Sequence, residues 1–188
     1  MSGGQGASVS DERQRLLALI KRDAIRRGDF VLSSGRRASF YIDLRLVTLS
    51  AEGSYLVGKC LLDLLGDWPA DAAGGMTLAA DPVVTAMALV SYLEGRPIAG
   101  LIVRKEAKPH GLGRQVEGPL RPGMRAVVVD DTFTTGGSAL QAAAAIEAAG
   151  GTVERILGIV DRGEGARAAI EAKGYRFDCL FTLADLGV

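Results

Sequence analysis

Ala126-Val127-Val128-Val129-Asp130-Asp131-Thr132-Phe133-Thr134-Thr135-Gly136-Gly137-Ser138 is the stretch that decides how this chain reads. Its apolar start predicts a strand over 125–129 that ends in two adjacent carboxylates. A turn rich in hydroxyls and glycine follows, and the Ala-rich run 137–149 predicts a helix. Strand, polar turn and helix in that order form one half of a parallel α/β unit. Thr134, Thr135 and Ser138 offer hydroxyl donors, and Gly136 and Gly137 let backbone N–H groups approach an anion. The start of the helix adds its positive end, so the turn reads as a phosphate cradle. It is not a P-loop, because Gly-Lys-Ser/Thr is absent, and it is not a dinucleotide fingerprint, because GxGxxG is absent. Asp130 and Asp131 would repel a phosphate unless they hold sugar hydroxyls or a hydrated Mg²⁺. Phosphate, ribose and metal in one turn describe an activated sugar phosphate. The plainer alternative is an N-cap for the helix, which needs one such side chain where this segment supplies two acids and three hydroxyls.

Outward from this stretch the chain alternates. Strands are predicted at 72–78, 98–103, 153–160 and 177–183, and helices at 52–65, 82–93 and 166–173. Apolar β-branched runs alternating with helices imply a mostly parallel central sheet covered on both faces. Ligands then bind beyond the carboxyl ends of the strands, where the cradle lies. Further upstream, Ser10-Asp11-Glu12 opens a helix that runs to about Arg27 and is stopped by Gly28. Ser39–Asp43 follows as a strand, and residues 1–9 are Gly/Ser-rich and expected to be mobile. A single domain is expected over 1–188, with an N-terminal helix and small hood over 1–45 and an α/β core over 46–188.

Composition sets the outer limits. With 188 residues and 48% apolar content the chain can bury a core without metal or disulfide staples. Lys+Arg and Asp+Glu balance at 22 each, which argues against a nucleic-acid binder. Cys60 and Cys179 read as buried free thiols of a reducing cytosol, and the lone His110 cannot build a zinc site. No signal-peptide h-region and no membrane-length apolar run is present, so a soluble cytoplasmic protein with no membrane partner is expected.

Two further loops carry chemistry. Val103-Arg104-Lys105-Glu106-Ala107-Lys108-Pro109-His110-Gly111 places four cationic groups after a predicted strand, in a polar, Gly/Pro-rich segment that runs over 104–123. Such a segment is either a closing lid or a solvated surface loop. Ile159-Val160-Asp161-Arg162-Gly163-Glu164 ends another strand in an Arg, whose plainer role is an ion pair with Asp161 or Glu164.

The cradle resembles the PRPP-binding motif of the type I phosphoribosyltransferases, and the order R-K-E-x-K-x-H-G resembles the catalytic loop of the orotate phosphoribosyltransferase family. The cradle departs from the usual pattern at Thr132 and Phe133, where aliphatic residues are commoner. The resemblance covers roughly residues 28–165. It implies the type I phosphoribosyltransferase fold and transfer of the 5-phosphoribosyl group of PRPP to orotate, giving orotidine 5′-monophosphate and pyrophosphate. It implies that PRPP is bound by Arg104, Lys105, Lys108, His110, Asp130, Asp131, Thr132, Phe133, Thr134, Thr135, Gly136, Gly137 and Ser138. Lys105, Lys108, His110, Asp130 and Asp131 are the implied catalytic groups, and Thr134 and Arg162 the implied orotate contacts. Mg²⁺ is the implied cofactor, held through PRPP and water near Asp130 and Asp131 with no confident direct side-chain ligand. The implied assembly is a homodimer that shares loop 104–118 across its interface.

In the segment that resembles the family's hood, Ser33 stands where many members have Lys, and Phe40 or Tyr41 is placed to pack on the base or in the core. In 74–82, Ala79 matches a position where some members carry Lys, so the cationic loop and Mg²⁺ must carry more of the pyrophosphate binding. A purine phosphoribosyltransferase would share the cradle but not the loop with Arg162. A PRPP-sensing regulator of nucleic acid would want a basic face or an added DNA-binding module, and the zero net charge counts against it.

Overall fold

A computed structural model describes residues 9–31, 37–106 and 114–188. The sequence expectations for residues 1–8, Ser33, Lys108 and His110 lie outside the described residues. The chain opens with helix α1 (Val9–Leu19), one π-helical turn (Ile20–Ala24) and an antiparallel pair, β1 (Ile25–Val31) and β2 (Arg37–Ile42). Helices α2 (Arg45–Thr48) and α3 (Ala51–Leu65) lead into the core. There follow β3 (Ala72–Met76), α4 (Asp81–Leu93), β4 (Ala99–Val103), β5 (Val116–Glu117), β6 (Arg125–Phe133), α5 (Gly137–Ala148), β7 (Thr152–Asp161), α6 (Ala166–Glu171), β8 (Arg176–Thr182) and α7 (Leu183–Leu186).

Six strands form one sheet in the order β5-β4-β3-β6-β7-β8, all parallel except the short edge strand β5. The residues explain the layering. Val127 and Val129 belong to the core shared with α1, α3 and α4, while Ala126 and Val128 belong to the core shared with α5 and α6. Period-two alternation along one strand therefore feeds two buried layers. After β3 the chain moves outward to β4, then returns to the other side of β3 as β6. This reversal opens a crevice between the carboxyl ends of β3 and β6, the place where open α/β sheets bind ligands.

Several sequence expectations need correction. The first helix does not run to Arg27, because Ile25 to Arg27 pair with Ile42 to Phe40 in a ladder that local helix propensity does not foresee. Gly28 falls at the bulge between Arg27 and Phe30 and ends no helix. The strand expected to finish at Val129 continues through Asp130, Asp131, Thr132 and Phe133, since Asp130, Thr132 and Phe133 pair with Gly158, Val160 and Asp161. Within 104–123, Val116 and Glu117 form a short edge strand against Val103 and Ile102. Cys60 is buried, but Cys179 is only half-buried, and both are free thiols. Burial pushes the Cys60 thiol up to about 12 and the Cys179 thiol higher, so neither is a ready nucleophile.

Candidate active site

The crevice holds a cavity of about 380 Å³. One wall is the end of β6 with Asp130, Asp131, Thr132 and Ser138, and the facing wall is the β3–α4 loop with Met76, Thr77, Leu78 and Ala79. Tyr41, Asp43, Leu44 and Arg45 cover it from the hood side, and Lys105 reaches it from the end of β4. Elements separated by up to about a hundred residues in sequence thus converge because the sheet order places β3, β4 and β6 side by side.

Asp130 is 8% exposed. Burial, and then the neighbouring Asp131, push its carboxyl up to about 7. Burial also raises Asp131, with the Arg45 guanidinium and the Thr132 backbone N–H pulling the other way. The Asp131 backbone N–H donates to Asp130 Oδ1 at 2.9 Å, which fixes the first carboxylate along the strand. A buried carboxylate beside a half-buried one is poised to accept hydrogen bonds from hydroxyls or to face a cation. No cluster of three or more His, Cys, Asp or Glu that could hold a metal occurs among the described residues. The adjacent carboxylates of Asp130 and Asp131 are oxygen donors of the kind that a hydrated Mg²⁺ carried by a substrate could face.

The turn after β6 carries the second half of the site. Thr134 and Thr135 are exposed, and so are Gly137 and Ser138 at the start of α5. The N-cap of α5 is Gly136, in the left-handed region at φ +79°, and no side chain caps the helix. The N-cap alternative raised from sequence therefore fails, and the hydroxyls are left for a ligand. An uncapped start leaves the first N–H groups of α5 without helical partners, aimed outward beside two glycines. Gly136 is also required sterically, since a Cβ there would press on Ile170 at 3.1 Å in a backbone conformation that L side chains rarely adopt. The turn is pinned from behind, where Ala166 N–H donates to Thr134 O at 3.1 Å and Arg162 N–H to Phe133 O at 2.9 Å. Phe133 lies beneath it, 2% exposed, with its ring 4.8 Å from that of Phe177.

The β3–α4 loop turns on a Thr77 Oγ1 bond to Asp81 Oδ2 at 2.7 Å, and its Thr77–Leu78 peptide is cis. The small residues of 74–82 are expected to let backbone N–H groups face an anion. Within that segment Gly74 and Gly75 are buried members of β3, where a Cβ on Gly75 would lie 2.3 Å from Val129 O. The N–H groups of Leu78 and Ala79 are the ones in that segment open to such a role: neither donates to another group among the described residues, while Thr77, Ala80 and Asp81 donate to Val103, Met76 and Leu78.

The other expected residues divide. Lys105 lines the cavity. Arg104 does not, because its Nε donates to Glu117 Oε1 at 3.1 Å and its backbone is tied to Gln115. Arg162 sits beyond β7 with Nε 2.9 Å from Glu164 Oε1, the ion pair anticipated as its plainer role. Of the two hood aromatics, Tyr41 is 42% exposed on the cavity wall and stacks at 6.0 Å on Phe30, so it is no core residue. Asp43 and Arg45 were not singled out from sequence. Their signal was present, as an acid and a base two positions apart at the end of a strand, but such pairs are common on surfaces.

No protein-family model matches the chain. It is 50% identical over 180 residues to an orotate phosphoribosyltransferase of Thermosynechococcus vestitus, covering 95% of both chains. It is 45% identical over 177 residues to an orotate phosphoribosyltransferase of Mycobacterium tuberculosis, covering 94% of this chain and 97% of that one. The crystal structure of the M. tuberculosis H37Rv orotate phosphoribosyltransferase in complex with PRPP superposes with a TM-score of 0.82 at 42% identity, over 94% of this chain and 99% of that one. An adenine phosphoribosyltransferase of Thermoanaerobacter pseudethanolicus shares the fold, with a TM-score of 0.63 at 18% identity over 88% of this chain and 99% of that one.

Proposed function

The chain belongs to the orotate phosphoribosyltransferase family, and from that premise we propose how the crevice between β3 and β6 carries out the reaction. The enzyme transfers the 5-phosphoribosyl group of PRPP to orotate, giving orotidine 5′-monophosphate and pyrophosphate in pyrimidine nucleotide synthesis. The observation that carries the site assignment is the meeting of an uncapped, glycine-started helix with the adjacent carboxylates of buried Asp130 and half-buried Asp131 at one sheet switch point.

The N–H groups and hydroxyls of Thr134 to Ser138 hold the 5′-phosphate, in line with its negative charge and the positive end of α5. Asp130 and Asp131 accept the ribose hydroxyls. As the bond from C1 to pyrophosphate breaks, positive charge grows on the sugar, and a neighbouring carboxylate pair stabilises it more than the ground state. Ionisation of Asp130 is costly in the free protein, and the positive charge that develops on the sugar as the bond breaks offsets that cost. Asp130 and Asp131 would face a hydrated Mg²⁺ carried by PRPP, which would offset charge on the leaving pyrophosphate. Lys105, together with Lys108 and His110, closes over that group and supplies cations or a proton to it. Thr134 and Arg162 take the orotate side. Arg162 exchanges Glu164 for the orotate carboxylate, a planar fork on a planar acceptor.

The proposal includes a homodimer with loop 104–118 shared between subunits. Leu89, Tyr92 and Leu93 on α4 are 60%, 71% and 70% exposed, and Leu49 and Leu78 are each 71% exposed beside a cavity next to the active site. Exposed apolar side chains of this kind support a subunit interface, and Leu49 and Leu78 border the site. Sedimentation of the dilute protein checks it: a dimer is expected, and a monomer would end the shared-loop part of the proposal. A cytoplasmic setting is also proposed, supported by the two free thiols and by the lack of any described helix long and apolar enough to cross a membrane. The reaction itself is tested by following orotate absorbance with PRPP and Mg²⁺, with adenine, hypoxanthine and uracil as parallel acceptors. Loss of orotate absorbance that needs both PRPP and Mg²⁺ is expected. Turnover of another base but not orotate would overturn the roles given to Arg162 and the hood.

A further inference from the structure

We propose that Arg45 is a pyrophosphate-binding residue of this enzyme, supplying from the hood side the positive charge that the β3–α4 loop lacks. The inference rests on the orotate phosphoribosyltransferase reading.

The loop is prepared for an anion but has no cation of its own. The adjacent N–H groups of Leu78 and Ala79 donate to nothing among the described residues. Ala79 ends in a methyl group, and the loop's charged side chain is the acid Asp81. Among the described residues lining the cavity the only cations are Arg45 and Lys105, against three carboxylates, Asp43, Asp130 and Asp131. A diphosphate carrying several negative charges is poorly held by two amide dipoles in such surroundings.

Arg45 is placed to correct that balance. It lines the active-site cavity together with Leu78, Ala79, Asp130 and Asp131, and it shares with Leu78 the wall of the neighbouring cavity. Asp43 holds one edge of the guanidinium, with Nε on Oδ1 at 2.8 Å and Nη2 on Oδ2 at 3.1 Å, while the Arg45 backbone N–H donates to the same Oδ1 at 3.2 Å. The Nη1 group makes no hydrogen bond to the described residues, and the side chain is 48% exposed. A half-exposed ion pair adds little to folding, so stability alone does not account for the arrangement. A fork fixed at one edge and open at the other is pre-organised for a phosphate oxygen. The Arg45 charge also reaches Asp131, whose carboxyl it pulls down against burial. Arg45 therefore sits between the ribose acids and the pyrophosphate loop.

The test compares wild type, Arg45→Gln, Arg45→Lys and the double variant Arg45→Gln/Ala79→Lys in both reaction directions. For Arg45→Gln the KM for PRPP is expected to rise about tenfold or more, the typical effect of losing a charge-assisted hydrogen bond. In the reverse reaction the KM for pyrophosphate should rise by a similar factor. The KM for orotate and the melting temperature should stay near the wild-type values. Arg45→Lys should recover part of the loss, and Ala79→Lys should recover part of it in the Gln background by restoring the cation from the loop side. Unchanged KM values for PRPP and pyrophosphate in Arg45→Gln would overturn the proposal. So would a parallel change in orotate KM and melting temperature, which would mark a structural role. If wild type itself fails to turn over orotate with PRPP, the family reading fails and not the placement of Arg45.

Discussion

Replacing Gly75 by Ala gives a sharp measure of how strictly the β3–β6 crevice is built. A Cβ on Gly75 would stand 2.3 Å from Val129 O and 2.4 Å from the Ala80 Cβ, where side-chain carbons essentially never come within 3.0 Å, so a shift of about 0.7 Å is required. Neither neighbour can swing away, because one is a backbone carbonyl and the other the sole side-chain carbon of a fully buried Ala. The movement must come from the backbone. It opens the gap between the stem of the β3–α4 loop and the β6 residue that directly precedes Asp130. Overpacking of this kind costs about 1–3 kcal/mol. For a chain of this size each kcal/mol lowers the melting temperature by about 2–4 °C. The melting temperature should therefore fall by roughly 2–12 °C. The functional effect should be larger, since misplacement by nearly an ångström can cost on the order of a hundredfold in rate. Steady-state kinetics should show the loss in kcat/KM for PRPP. Gly100→Ala in β4 is the matched control, because its Cβ would meet the movable side-chain methyl of Val84 at 3.1 Å. It should melt and turn over close to wild type. Melting and PRPP kinetics of Gly75→Ala equal to those of Gly100→Ala would refute the packing argument.

Three further outcomes follow from the site. The Asp130 carboxyl titrates higher in the folded chain, at about 7, than in the unfolded one, so the ligand-free protein should lose stability as pH rises from about 4 through about 7. Asp130→Asn should remove much of that slope in melting scans and melt above wild type at pH 8 while losing activity; an unaltered slope would contradict the burial argument. Arg162→Ala should raise the KM for orotate by about tenfold or more with little change for PRPP, and equal effects on both would remove Arg162 from the orotate side. Lys105→Ala and Lys108→Ala should each lower kcat on the order of a hundredfold without changing the melting temperature, and unchanged kcat in both would sink the loop assignment.

Much of the fold was legible because period-two apolar runs and Ala-rich helical runs are local signals. The alternation of Ala126, Val127, Val128 and Val129 between two cores is a direct instance. What sequence missed depends on partners distant in the chain. Ile25 to Arg27 look helical until Phe40 to Ile42 pair with them, and Asp130 to Phe133 look like turn until β7 extends the strand. In the site, the cradle could be read because glycine, hydroxyl and acid fall together in sequence. Arg45 could not, since it joins the cavity only through the packing of the hood on the crevice. The same limit applies to Gly75, whose reason lies in a carbonyl of another strand.

Calorimetric titration of PRPP, with and without Mg²⁺, into wild type, Asp130→Asn and Asp131→Asn tests most directly that the end of β6 is the PRPP site. Mg²⁺-dependent binding at one site per chain is expected for wild type. Each single Asn variant should bind at least about tenfold more weakly while keeping a cooperative melt. Equal PRPP affinity in all three proteins would contradict the account, because the ribose would then lie away from the Asp130 and Asp131 carboxylates.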